Sequence, residues 1–251
     1  MILANHGIIS SSGGLPPSTL LTDLYAVYKA ESNANDSLGA YNGTAQGGLT
    51  YSTGKSGNAF DLNGTNSYVD CGDNFDLGLS SWTYSLWVNP SNLSSDRTLF
   101  TKMSYSATAG AFDFLITGAL LQFYIQLDSS NNIYLRANSP SISGSTWTNI
   151  TAVVDRNDKI KFYVNGSLLT NVVDLGSFNN NNLSTYSAVN YNTSLPFRIG
   201  CSNGADLSNP TNPARFFQGK LDEFNIWNRV LTQSEITDLY NSGTGKFYPT
   251  F

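Results

Sequence analysis

Histidine is almost absent from this chain of 251 residues, which holds only His6. Ser-His-Asp and Cys-His systems need an imidazole beside the nucleophile. His6 lies in the opening segment, ahead of all the patterned sequence, so that chemistry has no base. Glutamate is nearly as scarce, with Glu31, Glu223 and Glu235 the full set. The two cysteines, Cys71 and Cys201, are too few for a disulfide framework. Each stands beside a glycine at the end of a strand-like run and reads as a buried thiol, with a bridge between them as the alternative. Charged residues make up only 12% and form no Lys/Arg cluster; the net charge of -5 has the wrong sign for sequence-independent nucleic-acid binding. No apolar run approaches the ~20 residues of a membrane helix. Met1 to Ile9 lacks a basic n-region and a continuous apolar h-region, so no secretory signal peptide is read there.

What is present points to a large core under an uncharged polar surface. Hydrophobic residues are 40% and aromatic residues 13%, including 14 Tyr and 14 Phe. With so few charges, the surface is built from Asn, Ser, Thr and Gln, which suits hydrogen bonding to neutral, hydroxyl-rich ligands such as glycans. The many Asn-x-Ser/Thr triplets follow from that abundance rather than from glycosylation. Residues 1–20 differ from the rest: Ser10-Ser11-Ser12-Gly13-Gly14-Leu15-Pro16-Pro17 breaks both helix and ladder. They read as an N-terminal arm and linker before a domain at 21–251. Ile2, Leu3, Ile8 and Ile9 give the arm more apolar surface than a solvated tail carries, and neighbouring subunits are its expected partner; the alternative is that it packs back on its own sandwich as an extra edge strand.

Within 21–251 the pattern is that of short strands. Trp82 to Val88 buries 82, 84, 86 and 88 on one side, and Leu121 to Leu127 alternates apolar with polar or amphipathic residues. Ile150 to Val154 and Ile160 to Val164 form a hairpin about a turn rich in Asp and Asn. Asn165-Gly166 is a two-residue hairpin signal, because both central positions of a type I′ turn need positive φ. In Leu221 to Trp227 the parity slips, which places a bulge near Asp222. One helix is predicted, with Thr232 as N-cap, Glu235 closing the capping box, a Leu231/Ile236 staple and a stop at Asn241-Ser242-Gly243. The fold class is therefore all-β, a sandwich or barrel with one short C-terminal helix.

The blocks that carry a family resemblance run in order from about Leu24 to Gly243. They include Gly57-Asn58-Ala59-Phe60-Asp61-Leu62-Asn63-Gly64, Trp82 to Val88, Trp147 to Val153, Phe162-Tyr163-Val164-Asn165-Gly166, and Gly219 to Thr232. Together they resemble the laminin-G-like jelly-roll domains of the concanavalin A-like superfamily. The resemblance implies two stacked antiparallel sheets whose groove and loops take glycans or proteins. Ligand identity does not follow, since the fold hosts many functions. The opening Met1 to Gly14, with its Asn5 to Ser12 run, is also similar to the starts of tailed-bacteriophage virion proteins, which implies a protein released by lysis, on a virion or extracellular surface.

Glucanases of this superfamily need paired carboxylates on one strand face. Glu235 is accounted for by capping, and Asp222 and Glu223 on a regular strand point to opposite faces, so no enzyme is expected. The resemblance places Asp36 and Asp222 near a calcium site, with loop carbonyls at Asn42 and Gly43 completing the shell; the alternative is an Asx-turn at Asp36 and backbone bonds at the bulge. Asp70, Asp73 and Asp76 are a second metal candidate. For sugar stacking, Tyr105, Tyr186 and Tyr191 lie in Asn/Ser-rich loops, the last two within a long connection from Phe178 to Leu195. These expectations describe a noncatalytic, lectin-like adhesion module that contacts host glycans. The alternative is a structural or decoration protein whose loops and arm hold neighbouring subunits.

Overall fold

The structure is a computed structural model that describes residues 18–103, 108–178, 180–204 and 212–251. Strands β1 (Leu24–Tyr28), β2 (Thr44–Gln46), β3 (Thr50–Thr53), β4 (Asn58–Asn63), β5 (Tyr68–Asp70) and β6 (Trp82–Pro90) open the chain. The middle holds β7 (Arg97–Lys102), β8 (Phe112–Thr117), β9 (Leu120–Gln126), β10 (Asn132–Ala137), β11 (Thr148–Val154) and β12 (Ile160–Val164). Then follow β13 (Ser167–Leu168), β14 (Val172–Asp174), β15 (Arg198–Ile199), β16 (Ser202–Asn203), β17 (Pro213–Ala214), β18 (Gln218–Trp227) and helix α1 (Gln233–Tyr240). Among the described residues they make two large antiparallel sheets and a separate two-stranded pair, β16-β17. The first runs β13-β12-β11-β6-β18-β4-β3, with β1 also on β18; the second runs β14-β10-β9-β8-β7-β15-β5-β2.

Period-two alternation decides which side chains meet between the sheets. Trp82, Tyr84, Leu86 and Val88 of β6 face Phe112, Phe114 and Ile116 of β8 and Leu121, Phe123 and Ile125 of β9 in one continuous core. Each large side chain buried there contributes ~1.5–3 kcal/mol. The Ile150–Val154 and Ile160–Val164 hairpin forms, with Val154 opposite Ile160 and Ile150 opposite Val164. Asn165 and Gly166 both take positive φ (50° and 74°), which turns β12 into β13. The bulge lies between Asp222 and Asn225, where β18 slips against β6.

The outward face of the first sheet is covered by a second apolar layer. Val153, Tyr163 and Trp227 pack beneath Leu20, Leu231, Ile236 and Leu239. The Thr232/Glu235 capping box starts α1, and Asn241 in the left-handed region ends it. Arg229 donates to both Glu235 oxygens (2.7 and 3.0 Å). Leu20 is buried, its carbonyl accepts from Trp227 Nε1 at 2.7 Å, and Arg229 donates to the Thr19 carbonyl. Residues 18–20, assigned from the sequence to the arm, are thus fastened to the sandwich; the remainder of the arm lies outside the described residues. Cys71 and Cys201 are free, buried thiols, and burial pushes Cys71 up to about 12.

Candidate functional site

The second sheet turns a polar face outward because its apolar positions are spent on the core. Phe112, Phe114, Phe123, Ile125, Ile133 and Leu135 point inward, so Asp113, Tyr124 and Tyr134 project from the other side. Strand register aligns them. Thr101 stands opposite Asp113, Asp113 opposite Tyr124, and Tyr124 opposite Tyr134. The same row continues through Arg198 to Asp70 on the other side of Thr101. A cavity of about 160 Å³ opens on this row, lined by Asp96, Met103, Asp113, Leu115, Tyr124, Tyr134 and Arg215.

The tyrosine rings meet edge to face with centroids 6.4 Å apart, and both are half-buried. The Tyr124 hydroxyl donates to Gln126 Oε1 and the Tyr134 hydroxyl to Gln122 Oε1. Gln126 is fixed in that sense because its Nε2 donates to the Asp128 carbonyl at 2.6 Å. Arg215 lies 3.8 Å from Asp96 and 3.4 Å from Asp113. Asp113 is 1% exposed, and burial pushes its carboxyl up to about 6 against the pull of Arg215. The Thr98 and Thr101 hydroxyls lie beside it, yet no hydrogen bond of good geometry reaches its Oδ1. The wall therefore combines aromatic surface with acceptor oxygens, a combination suited to a hydroxyl-rich ring.

The tyrosines singled out from the sequence stand elsewhere. Tyr105 lies outside the described residues. Tyr191 is fully buried, with the Arg156 guanidinium 4.1 Å over its ring, so the expectation that it offers a stacking face is corrected. Tyr186 is half-buried edge-on against Phe178, and its carbonyl accepts from Arg156. Arg156 also reaches the Ser187 and Val189 carbonyls, so these two tyrosines belong to the packing of one loop around one cation. Tyr124 and Tyr134 were missed although a signal existed. Each sits at the polar parity of its strand, between Gln122 and Gln126 or between Asn132 and Arg136, where an aromatic gains nothing from the core.

The acidic residues have internal partners. Asp36 is buried, and its Oδ1 accepts from Val27 N (2.9 Å) and Leu38 N (3.0 Å) while Oδ2 accepts from Ala40 N (3.1 Å) and Tyr41 N (3.2 Å). Four amide donors occupy the four lone-pair sites of a carboxylate. Asp222 accepts from Lys55 N, Ser56 N and Glu223 N. Amide protons thus occupy all four lone-pair sites of Asp36 and three of the four of Asp222, which leaves little of either carboxylate for a calcium shell. At the second candidate, the fully buried Lys102 ammonium lies 2.7 Å from Asp73 and 3.4 Å from Asp76, and Arg198 pairs with Asp70.

Asp222 and Glu223 do not alternate as on a regular strand. Glu223 takes φ 48° within the bulge, and both side chains are 1% exposed. Burial raises Asp222 to about 7, and burial with the Asp222 charge raises Glu223 to about 8. Glu31 lies close by and accepts from Asn58 N at 3.0 Å. Asp222 fastens the turn between β3 and β4 to the bulge in the middle of β18, and Glu31 fastens the start of β4, which is a structural task; among the described residues the Glu223 oxygens have no hydrogen-bond partner of good geometry there.

A laminin G-type family profile, described as the concanavalin A-like lectin/glucanases superfamily, matches residues 63–237, and the chain belongs to that family. Among solved structures, it is similar to domain 4 of AbnA, an extracellular GH43 arabinanase from Geobacillus stearothermophilus, in complex with arabinotriose. The identity is 24% and the TM-score 0.57, over 87% of this chain and 98% of that one. It is also similar to the binding domain of Paraclostridial Mosquitocidal Protein 1 (19% identity, TM-score 0.65, 88% and 52% covered). The receptor binding domain of botulinum neurotoxin D is another match (16%, 0.62, 88% and 53%). The chain thus spans about half the length of these toxin domains. At such identities the likeness concerns the fold. No curated protein matches.

Proposed function

We propose that this protein is a noncatalytic carbohydrate-binding module that takes a glycan on the outward face of its second sheet. The observation that carries the reading is the cross-strand row Asp113–Tyr124–Tyr134 with its cavity. Sugars bind through aromatic contact and hydrogen bonds, and both are offered there on rigid strands. The similarity to an arabinanase domain solved with arabinotriose and to toxin binding domains supports a binding role. Asp96 and Asp113 are the carboxyl pair a glycosidase reading would invoke. Such a pair flanks the scissile bond with roughly 5–9 Å between carboxyls; here both face the guanidinium of Arg215.

The setting proposed for the module is a virion or extracellular surface, on a tailed phage that meets host glycans. The phage-like run Asn5 to Ser12 and the Asn/Ser/Thr-rich surface support this setting. The other reading is a decoration protein held to neighbouring subunits through the N-terminal arm. A glycan array separates them. Selective binding competed by free sugar is the expected outcome, whereas a blank array with stable self-association favours decoration. Release of reducing sugar from any bound glycan would overturn the noncatalytic assignment.

A further inference from the structure

We infer that the cavity on the second sheet accepts one non-acidic sugar ring and rejects acidic sugars such as sialic and uronic acids, an inference that rests on the glycan-binding reading above. Size comes first. At about 160 Å³ the cavity is about half the ~300 Å³ lower bound of drug-sized pockets, and it equals the liquid share of about five waters. One ring fills it, and the rest of a longer chain lies outside.

Charge and hydrogen-bond polarity then point the same way. Among the described residues, two acids, Asp96 and Asp113, line the cavity against one cation, Arg215, which already lies within 4 Å of both. A ligand carboxylate would become the third anion around one guanidinium. Arg97, Arg136 and Arg198 lie near the row but outside the lining: Arg97 donates to the Phe216 carbonyl, Arg136 stands opposite Gln122 and Arg198 pairs with Asp70. The phenol hydroxyls spend their protons on Gln126 and Gln122, so they turn lone pairs to the cavity. Phenol and carboxylate oxygens together make an acceptor-rich wall. Such a wall pairs with the hydroxyl protons of a neutral sugar, or with the ammonium of an amino sugar, and offers a carboxylate almost no donors.

The test is a printed array carrying neutral oligosaccharides, each beside its counterpart capped by sialic acid or a uronic acid, probed with wild type and Asp96→Asn. Asp96 is substantially exposed, and Asn keeps the acceptor that Thr117 uses. Wild type is expected to bind the neutral member of a pair at least roughly tenfold better, and Asp96→Asn to narrow that ratio by roughly tenfold, the effect of one charge across a partly screened cavity. Equal or better binding of the capped members overturns the charge selection while leaving glycan binding standing. An unchanged ratio in Asp96→Asn also overturns it. Binding to no glycan by a folded protein overturns the glycan reading and this inference with it.

Discussion

Replacing Glu223 by Gln should make the protein more stable above neutral pH and leave it almost unchanged in acid. The carboxyl is 1% exposed, and neither oxygen has a hydrogen-bond partner of good geometry, although the Ser56 side chain lies near. Burial and the Asp222 charge raise it from the ordinary 4.5 to about 8. The folded state therefore holds this proton more tightly than the unfolded chain does. Stability from the group is complete below about pH 4.5 and is lost as pH rises to about 8, because the unfolded chain releases the proton first. At about 1.4 kcal/mol per pH unit, that window amounts to on the order of 4 kcal/mol, spread by coupling to Asp222, which titrates near 7. Glutamine keeps the shape of the protonated acid and cannot ionise. Urea unfolding followed by tryptophan fluorescence from pH 4.5 to 9 should show the curves together in acid. At pH 9 they should lie apart by a few kcal/mol, or roughly 10 °C in Tm. Parallel curves across the whole range would refute the argument and mean that water reaches Glu223.

Asp36→Ala removes an acceptor shared by four backbone amides and should cost roughly 3 kcal/mol, read by urea unfolding. Because those amides already fill the carboxylate, melting of the wild type should be the same in calcium and in chelator; a calcium-dependent Tm would restore the metal reading of Asp36 and Asp222. Lys102→Met should destabilise by roughly 1–3 kcal/mol, since it strips Asp73, Asp76 and the Leu195 carbonyl of one ammonium, with Asp73 half-exposed and partly screened. Gly57→Ala should lower Tm measurably by calorimetry, because a Cβ there runs into the Glu31 carboxylate from a positive φ.

The architecture was legible because the signals that fix it are local. Trp82 to Val88 shows its buried parity in seven letters, Asn165-Gly166 states its own turn, and Thr232 with Glu235 states its own cap. Even the bulge showed, as a slip in parity beside Asp222. The binding face was only half legible. Tyr124 and Tyr134 stand at polar parity within recognisable strands, but their meeting depends on the β9–β10 register. Arg215 arrives from far along the chain. Loop tyrosines misled for a physical reason: Asn/Ser-rich sequence around Tyr191 suggests exposure, whereas Arg156 folds that loop inward by collecting three of its carbonyls. Asp36 was read with both outcomes open, and its four amide partners are an enlarged version of the Asx-turn.

The central claim, that the outward face of the second sheet holds the ligand, is tested most directly by titration calorimetry. The probe is the strongest neutral oligosaccharide from the array, titrated into wild type, Tyr134→Ala and Tyr186→Ala, each first shown to be folded by its melt. Tyr134 is half-buried on the cavity wall and Tyr186 is half-buried on a loop outside the cavity lining, so the pair separates loss of the wall from loss of a loop tyrosine. The account predicts at least a roughly tenfold weaker Kd for Tyr134→Ala, about 1.4 kcal/mol, and an unchanged Kd for Tyr186→Ala. Full affinity in Tyr134→Ala with binding lost in Tyr186→Ala would contradict it and move the site to the loop.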